Sequence, residues 1–532
     1  MRLIAPASFL AVALLLTACT SGNDTPPAGG SGETGEYVSG ATLAMGLVSD
    51  PGSLDPHTSA SSVLYQVASL AYDSLVGLDG EGQILPQLAE SWILEGDTVT
   101  FALRDDVTCS DGSSFKPSTA AANIEWIADP NNASPFLGVF VPGGTVAEAD
   151  DDAGTLTLTL ATNAPFLMEG LSQLLLVCDA GLADRSLLDS GTVGSGLFRL
   201  TEAVAQDHYT FELNPDYAWG PGDVTAKTPG LPAEVQMRVV PNETTAANLL
   251  LAGELNIAQV LGQDRERLLA ADVDAKTLRT VVGEQVHNES EGHPTADPKV
   301  RMALTQALDF EELRQVITSG VGLPTEQLAV LLPSGCHYDS VSANLPKTDV
   351  AAAEAGLDSA GWEKGADGMR AKDGQPLKLT FIYDTALGTA GSAAADLAVE
   401  QWAAIGVDIQ ASGLDNTQVM EALFQTGAWD ITWVGLNVAN PDQVVGFFSG
   451  PPAPEGTNFA GIANSDYEAK ATEAMGLMGA ESCPVWEEAE GALIRDADVV
   501  PFADNLVHTF VDGVDFTVLG RIEPATLRML AK

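Results

Sequence analysis

The chain has 532 residues, 45% of them hydrophobic, and carries 73 acidic against 24 basic side chains for a formal net charge of −49. A surface this negative repels the phosphates of nucleic acid and finds no hold on bare anionic lipid, so neither is an expected partner. The apolar share is that of a globular chain, and the length exceeds what one hydrophobic core organises, so two or three subdomains are expected.

The first element is a leader. Arg2 precedes Leu3 to Leu16, an almost wholly apolar run of fourteen residues, too short to span a bilayer core as a helix and suited to a cleavable export signal. It closes on Leu16-Thr17-Ala18-Cys19, which resembles a bacterial lipobox. Residues 1–18 are therefore expected to be removed as a signal peptide, and Cys19 to accept the diacylglycerol that anchors the protein to the cell membrane. Residues 19–38 hold the lipidated Cys and a flexible linker, rich in Gly, Ser, Thr and Pro and without apolar periodicity. Loss of Arg2 with the leader makes the remainder one charge more negative. No later window approaches eighteen uninterrupted apolar residues, so the working part is expected outside the cytoplasm.

Beyond the linker the pattern alternates between the two periods. Leu43 to Val48 reads as a strand, Val63 to Ser74 as a helix, Thr98 to Leu103 as a half-buried strand and Ser118 to Ile127 as a helix. Thr155 to Leu160 repeats Thr-Leu three times, a clean period of two. Strands are predicted at Gln206 to Leu213 and Glu234 to Val239, then a helix at Thr244 to Leu251. Asp297-Pro298 opens a helix predicted to run to Thr318, with Asp as its cap and Pro in its first turn. Leu377 to Tyr383 and Asp430 to Leu436 read as strands, Ala390 to Ala404 and Cys483 to Asp498 as helices. Turns are marked by Asp50-Pro51-Gly52, Asp111-Gly112, Asn214-Pro215-Asp216 and Asp373-Gly374. Helices and strands mix throughout, which makes the class α/β.

Setting Cys19 aside, Cys109, Cys178, Cys336 and Cys483 remain, an even number in an oxidising compartment, and two disulfides with three open connectivities follow. No CxxC or His cluster supports a metal centre, and no cofactor is expected. GxSxG, HExxH and GxxxxGK[ST] are all missing, so hydrolase, zincin and P-loop readings lack their signatures. Acidic runs such as Asp150-Asp151-Asp152 read as solvated turns. His57 reads as a polar turn residue that could also touch a ligand.

Several segments assemble into a known order: Asp50-Pro-Gly-Ser-Leu-Asp-Pro56, Tyr72-Asp-Ser-Leu-Val76, Pro86-Gln-Leu-Ala-Glu-Ser-Trp92, Gly194-Ser-Gly-Leu-Phe-Arg-Leu200, Asn214-Pro-Asp-Tyr-Ala-Trp-Gly220, Asp297-Pro-Lys-Val-Arg-Met-Ala-Leu304 and Ala360-Gly-Trp362. In this order the chain resembles the dipeptide, oligopeptide and nickel-binding proteins that serve ABC importers, solute-binding protein family 5. The resemblance implies a two-lobed periplasmic-binding-protein fold of class II, with an extra subdomain in the first lobe. Residues 40–76, 192–281 and 500–532 would form lobe 1, 77–191 its extension and 282–499 lobe 2. Each disulfide stays within one subdomain if Cys109 pairs with Cys178 and Cys336 with Cys483.

The function implied is reversible capture of a peptide or peptide-like solute and delivery to an ABC permease with its ATPase subunits. An oligosaccharide, an opine-like compound or a metal chelate are the alternative solutes, and a secreted lipoprotein enzyme is the rival from another class. A monomer is expected. The resemblance places Tyr65 and Ser195 on the lobe 1 side of the cleft, and Trp433, Leu436, Asn437 and Asn440 on the lobe 2 side. Oligopeptide binders of the family set an Asp near this last stretch against the peptide's α-ammonium. Here Ala439 and Asn440 stand at the approximate position, with Asp442 as a substitute.

Overall fold

Period-two burial of Leu43, Met45 and Leu47 makes β1 (Thr42–Leu47) the start of a sheet. The structure is a computed structural model that describes residues 36–531 apart from 60, 81, 133, 263, 454 and 455. The leader, Cys19 and the linker up to residue 35 lie outside the described residues. The last linker positions do not: Tyr37 bridges Leu530, and Val38 N donates to the Met529 carbonyl at 2.9 Å.

In chain order the sheet adds β2 (Phe198–Val204), β3 (His208–Leu213), β4 (Glu234–Val239), β5 (Ile257–Gln259), β6 (Ala275–His287), β7 (Lys378–Asp384), β8 (Asp408–Leu414), β9 (Ile431–Trp433) and β10 (Val499–Val511). The spatial order is β8-β7-β9-β6-β10-β5-β1-β4-β3-β2. Two strands of 13 residues each, β6 and β10, run antiparallel from Ala275 opposite Phe510 to Val286 opposite Val499. At one end β10 pairs with β5, and at the other β6 pairs with β9. The two long strands therefore carry the chain between two lobes. Gly283 sits at a register shift in β6, where a Cβ would lie 2.6 Å from the Phe502 ring, so only glycine admits this close crossing.

The extension of the first lobe is an antiparallel sheet of four strands, Ala89–Glu95, Thr98–Leu103, Thr155–Thr159 and Val146–Asp150 in that order. Val99, Phe101, Leu156 and Leu158 alternate inward against Ile124 and Ile127 of helix Pro117–Ala128. Cys109 and Cys178 are bonded here, and Cys336 and Cys483 in the second lobe. That lobe packs Trp402, Trp433, Phe381 and Phe502 between β7, β9 and β10, with T-shaped contacts of Phe381 to Trp402 and Trp433.

Three predicted elements differ. The helix expected over 298–318 is two, Pro298–Gln306 and Phe310–Ile317, because the Asp309 side chain accepts from Glu312 N and starts a new helix. The helix expected to Ser74 stops at Ala68: Leu70 and Ala71 give their carbonyls to Phe198 and Gly196 instead. The strand expected to Leu436 ends at Trp433, where Gly435 passes so close to the Val281 carbonyl that a Cβ would lie 2.6 Å from its oxygen.

Candidate ligand site between the lobes

The loop that follows β9 at its carboxyl end is held against the crossing strand β6, where Asn437 bonds to Val281. On the lobe 2 side, segments 328–338 and 434–445 run together, tied by Leu331 N to the Val438 carbonyl at 3.0 Å and by Gly335 N to Asn440 Oδ1 at 2.9 Å. The extension reaches across to them. Pro165 accepts from Gly479 N at 2.8 Å, and Phe166 is buried in a cluster of lobe 2 side chains that includes Cys336. Near the crossing strands, Gly520 lies against the Leu332 carbonyl. Gly82 of the extension lies against the Ser334 carbonyl as well, so among the described residues the lobes touch in a closed arrangement.

Two carboxyl groups belong to this junction, Glu169 from the extension and Asp442 from lobe 2, near enough for the Glu169 charge to act on Asp442. Glu169, in helix Leu167–Gln173, comes against Gly335, whose Cβ would stand 3.2 Å from its Oε1. Asp442 lies in the turn Pro441–Val444, set by a capping box of Asn440 with Gln443. Its Oδ1 is buried and has no hydrogen-bond partner among the described residues. Burial pushes the Asp442 carboxyl up to about 7; backbone N–H groups of its own turn pull it back, and the Glu169 charge adds to the rise. Burial raises Glu169 as well. Tyr467, whose hydroxyl is also unpartnered, is raised by burial and by the charges of Glu490 and Asp442. A buried, unpartnered carboxyl that feels a second acidic charge is an incomplete arrangement, which a proton or a ligand's positive group completes.

The residues expected in the cleft fall into separate places. Ser195 is buried and donates to Asp73 Oδ2 at 2.8 Å, within a network where Gln87, Tyr217 and Trp219 donate to the same carboxylate. Gly194 and Gly196 flank it because Ala71 approaches so closely that a Cβ at either would overlap its backbone. Trp433 is lobe 2 core, its Nε1 donating to Gln285 Oε1 at 3.1 Å. Asn437 is exposed and grips the crossing strand, accepting from Val281 N at 2.8 Å and donating to the Val281 carbonyl. Leu436 packs half-buried in lobe 2. Tyr65 is packed on Phe136 and Phe140, and its hydroxyl has no partner among the described residues. Asn440 alone of the six bonds directly to the segment that meets Glu169.

His57 is buried in lobe 1, with Nε2 donating to the Leu175 carbonyl at 2.8 Å; burial and the nearby Arg185 charge lower it to about 4, which keeps it neutral. Among the described residues no group of three or more His, Cys, Asp and Glu side chains could hold a metal ion, and no helix is long and apolar enough to cross a membrane. Sequence reasoning passed over Phe166, Glu169 and the Leu332–Gly335 stretch. In so acidic a chain one more Glu carries no signal, and only Asp442 stood out.

The profile of bacterial extracellular solute-binding proteins, family 5 Middle, matches residues 83–451. The chain is 26% identical over 385 residues to the nickel-binding periplasmic protein of Escherichia coli (strain K12), which covers 69% of this chain and 70% of that protein. It is 25% identical over 433 residues to the oligopeptide-binding protein OppA of Bacillus subtilis (strain 168), covering 76% and 75%. Its fold superimposes with a TM-score of 0.70 and 27% identity on a substrate binding protein from Microbacterium hydrocarbonoxydans complexed with 4-hydroxybenzoate hydrazide, covering 92% of this chain and 100% of that one. The unliganded open form of the periplasmic murein tripeptide binding protein MppA gives a TM-score of 0.75 at 19% identity, covering 94% and 99%. With two lobes bridged by β6 and β10 and a profile match over most of its length, the chain belongs to the bacterial extracellular solute-binding proteins of family 5.

Proposed function

We propose that this protein captures a peptide or peptide-like solute between its lobes and hands it, chemically unchanged, to an ABC importer. The observation that carries the reading is Asp442 of lobe 2, its Oδ1 buried and unpartnered among the described residues, beside the contact that Glu169 of the extension makes with Gly335. An ammonium group placed there would neutralise both carboxyls and tie the lobes together, a charge-assisted contact that exists only when the cleft is closed. Relatives named for oligopeptide and glutathione binding support the solute class.

In this reading residues 40–76, 192–281 and 500–532 act as the first lobe, 77–191 as its extension and 282–499 as the second. Closure is a hinge motion about β6 and β10. The protein works as a monomer tethered to the outer face of the cell membrane through a lipid on Cys19, and it carries out no covalent chemistry.

A thermal-shift panel of dipeptides, tripeptides, neutral oligosaccharides and metal chelates tests the solute class. A peptide at about 100 times its dissociation constant should stabilise the native state by about 2.7 kcal/mol. Stabilisation by the sugars or chelates with none by any peptide contradicts the reading.

A further inference from the structure

Each of the two lobe 2 segments that meet residues 165–169 of the extension carries one half of a disulfide. Gly335, against Phe166 and Glu169, is followed by Cys336. Gly479, whose N donates to the Pro165 carbonyl at 2.8 Å, precedes Cys483 by four residues. Gly82 of the extension lies against the same strip at the Ser334 carbonyl. The bond between Cys336 and Cys483 therefore staples together two surfaces that close on the extension as one.

Helix Cys483–Arg495 backs this strip. Seven residues after Cys483, on the same face and about 10 Å along the axis, Glu490 is fully buried. It accepts from Leu328 N at 3.1 Å, from the Tyr338 hydroxyl at 2.8 Å and from Ser340 Oγ at 2.7 Å. Glu490 thus fixes the two ends of segment 328–340, while the stretch that touches the extension is tied to the helix at Cys336. The two disulfides also differ in exposure. Cys109 and Cys178 are both buried, at 1% and 0%, whereas Cys483 is half-buried, so a reductant reaches its bond first.

We infer that Cys336 and Cys483 form a redox-sensitive positioning element for lobe closure. Oxidised, the pair holds the strip in the shape that grips the extension over the solute; reduced, it frees the strip and the solute leaves. The step is thiol–disulfide exchange: a dithiol reductant attacks as its thiolate, passes through a mixed disulfide and ends as its own cyclic disulfide. Its two electrons and two protons stay on Cys336 and Cys483 as thiols. The inference rests on the lobes closing over a solute and is independent of the solute's class.

The full-length protein with both disulfides intact is compared with Cys336→Ser/Cys483→Ser and with Cys109→Ser/Cys178→Ser. Each variant loses a cross-link and should melt at a lower temperature. Titration calorimetry with trialanine, below both melting transitions, should separate them: binding at least tenfold weaker without the Cys336–Cys483 bond, and unchanged without the other. Dithiothreitol added to folded wild type should reproduce the loss, and reoxidation should restore the affinity. Hydrogen exchange without solute at pH 5, where the Asp442 carboxyl is protonated, should quicken at least tenfold in peptides carrying the Gly335 and Gly479 amides and stay unchanged in β6 and β10. Equal affinity in wild type and Cys336→Ser/Cys483→Ser, or an equal loss in both variants, overturns the inference. Wild type that ignores trialanine counts against the peptide reading alone; the exchange at Gly335 and Gly479 then decides the role of the disulfide, and unchanged rates there overturn it.

Discussion

Asp73→Ala should destabilise the first lobe by about 4 kcal/mol or more, read as a lower urea midpoint. The Asp73 carboxylate is fully buried and accepts four hydrogen bonds, from Gln87 and Tyr217 on one oxygen and from Ser195 and Trp219 on the other, all between 2.8 and 2.9 Å. Removing it orphans four buried donors, each at a cost of about 1–3 kcal/mol, and leaves a polar-lined void. Burial raises the Asp73 carboxyl and the four donors pull it back. Asp73→Asn keeps one accepting oxygen but turns an amide N–H₂ toward two donors, so it should fall between wild type and Ala. A change below about 1 kcal/mol for Asp73→Ala would mean that the donors find other partners.

Asp442→Asn should leave the ligand-free protein as stable as wild type or slightly more so, because it removes a buried carboxyl whose charged form burial and the Glu169 charge both disfavour. The same change should weaken binding of a cationic or zwitterionic solute by about 10- to 100-fold, the loss of one charge-assisted hydrogen bond of about 1.5–3 kcal/mol. The two readouts separate a binding role from a structural one. Equal loss of stability and affinity, or unchanged affinity with a solute that carries an ammonium group, would remove Asp442 from the site.

Local elements were legible where one face is wet. Thr98–Leu103 and Thr155–Thr159 bury alternate residues, so their period of two survives in the sequence and their bounds agree with expectation to within a residue. The crossing strands were not legible. The end of β6 and the start of β10 are buried on both faces, which erases alternation, and Pro501 and Asp504 interrupt β10 with residues that ordinarily argue against a strand. Asp504 is tolerated because Thr325 donates to it at 2.7 Å and Arg279 pairs with it. The site was less legible still, since it is made by residues more than 250 positions apart. Helix Leu167–Gln173 has no acidic or aromatic pattern that sets Phe166 and Glu169 aside from ordinary packing. The order of weak family segments supplied the architecture, while the packing of helix Leu167–Gln173 against segment 328–338, itself tied to 434–445, supplied the chemistry.

Closure is the central claim, and pH sets the condition under which it shows best. The Asp442 carboxyl is raised in the closed form to about 7, so unliganded closure is favoured at low pH and that stabilisation is lost as pH rises through about 7. Small-angle X-ray scattering at pH 8 should therefore find the ligand-free protein open, with a radius of gyration that falls when a saturating zwitterionic peptide is added. An unchanged radius with bound peptide, at pH 8, would contradict an account in which the two lobes close over the solute.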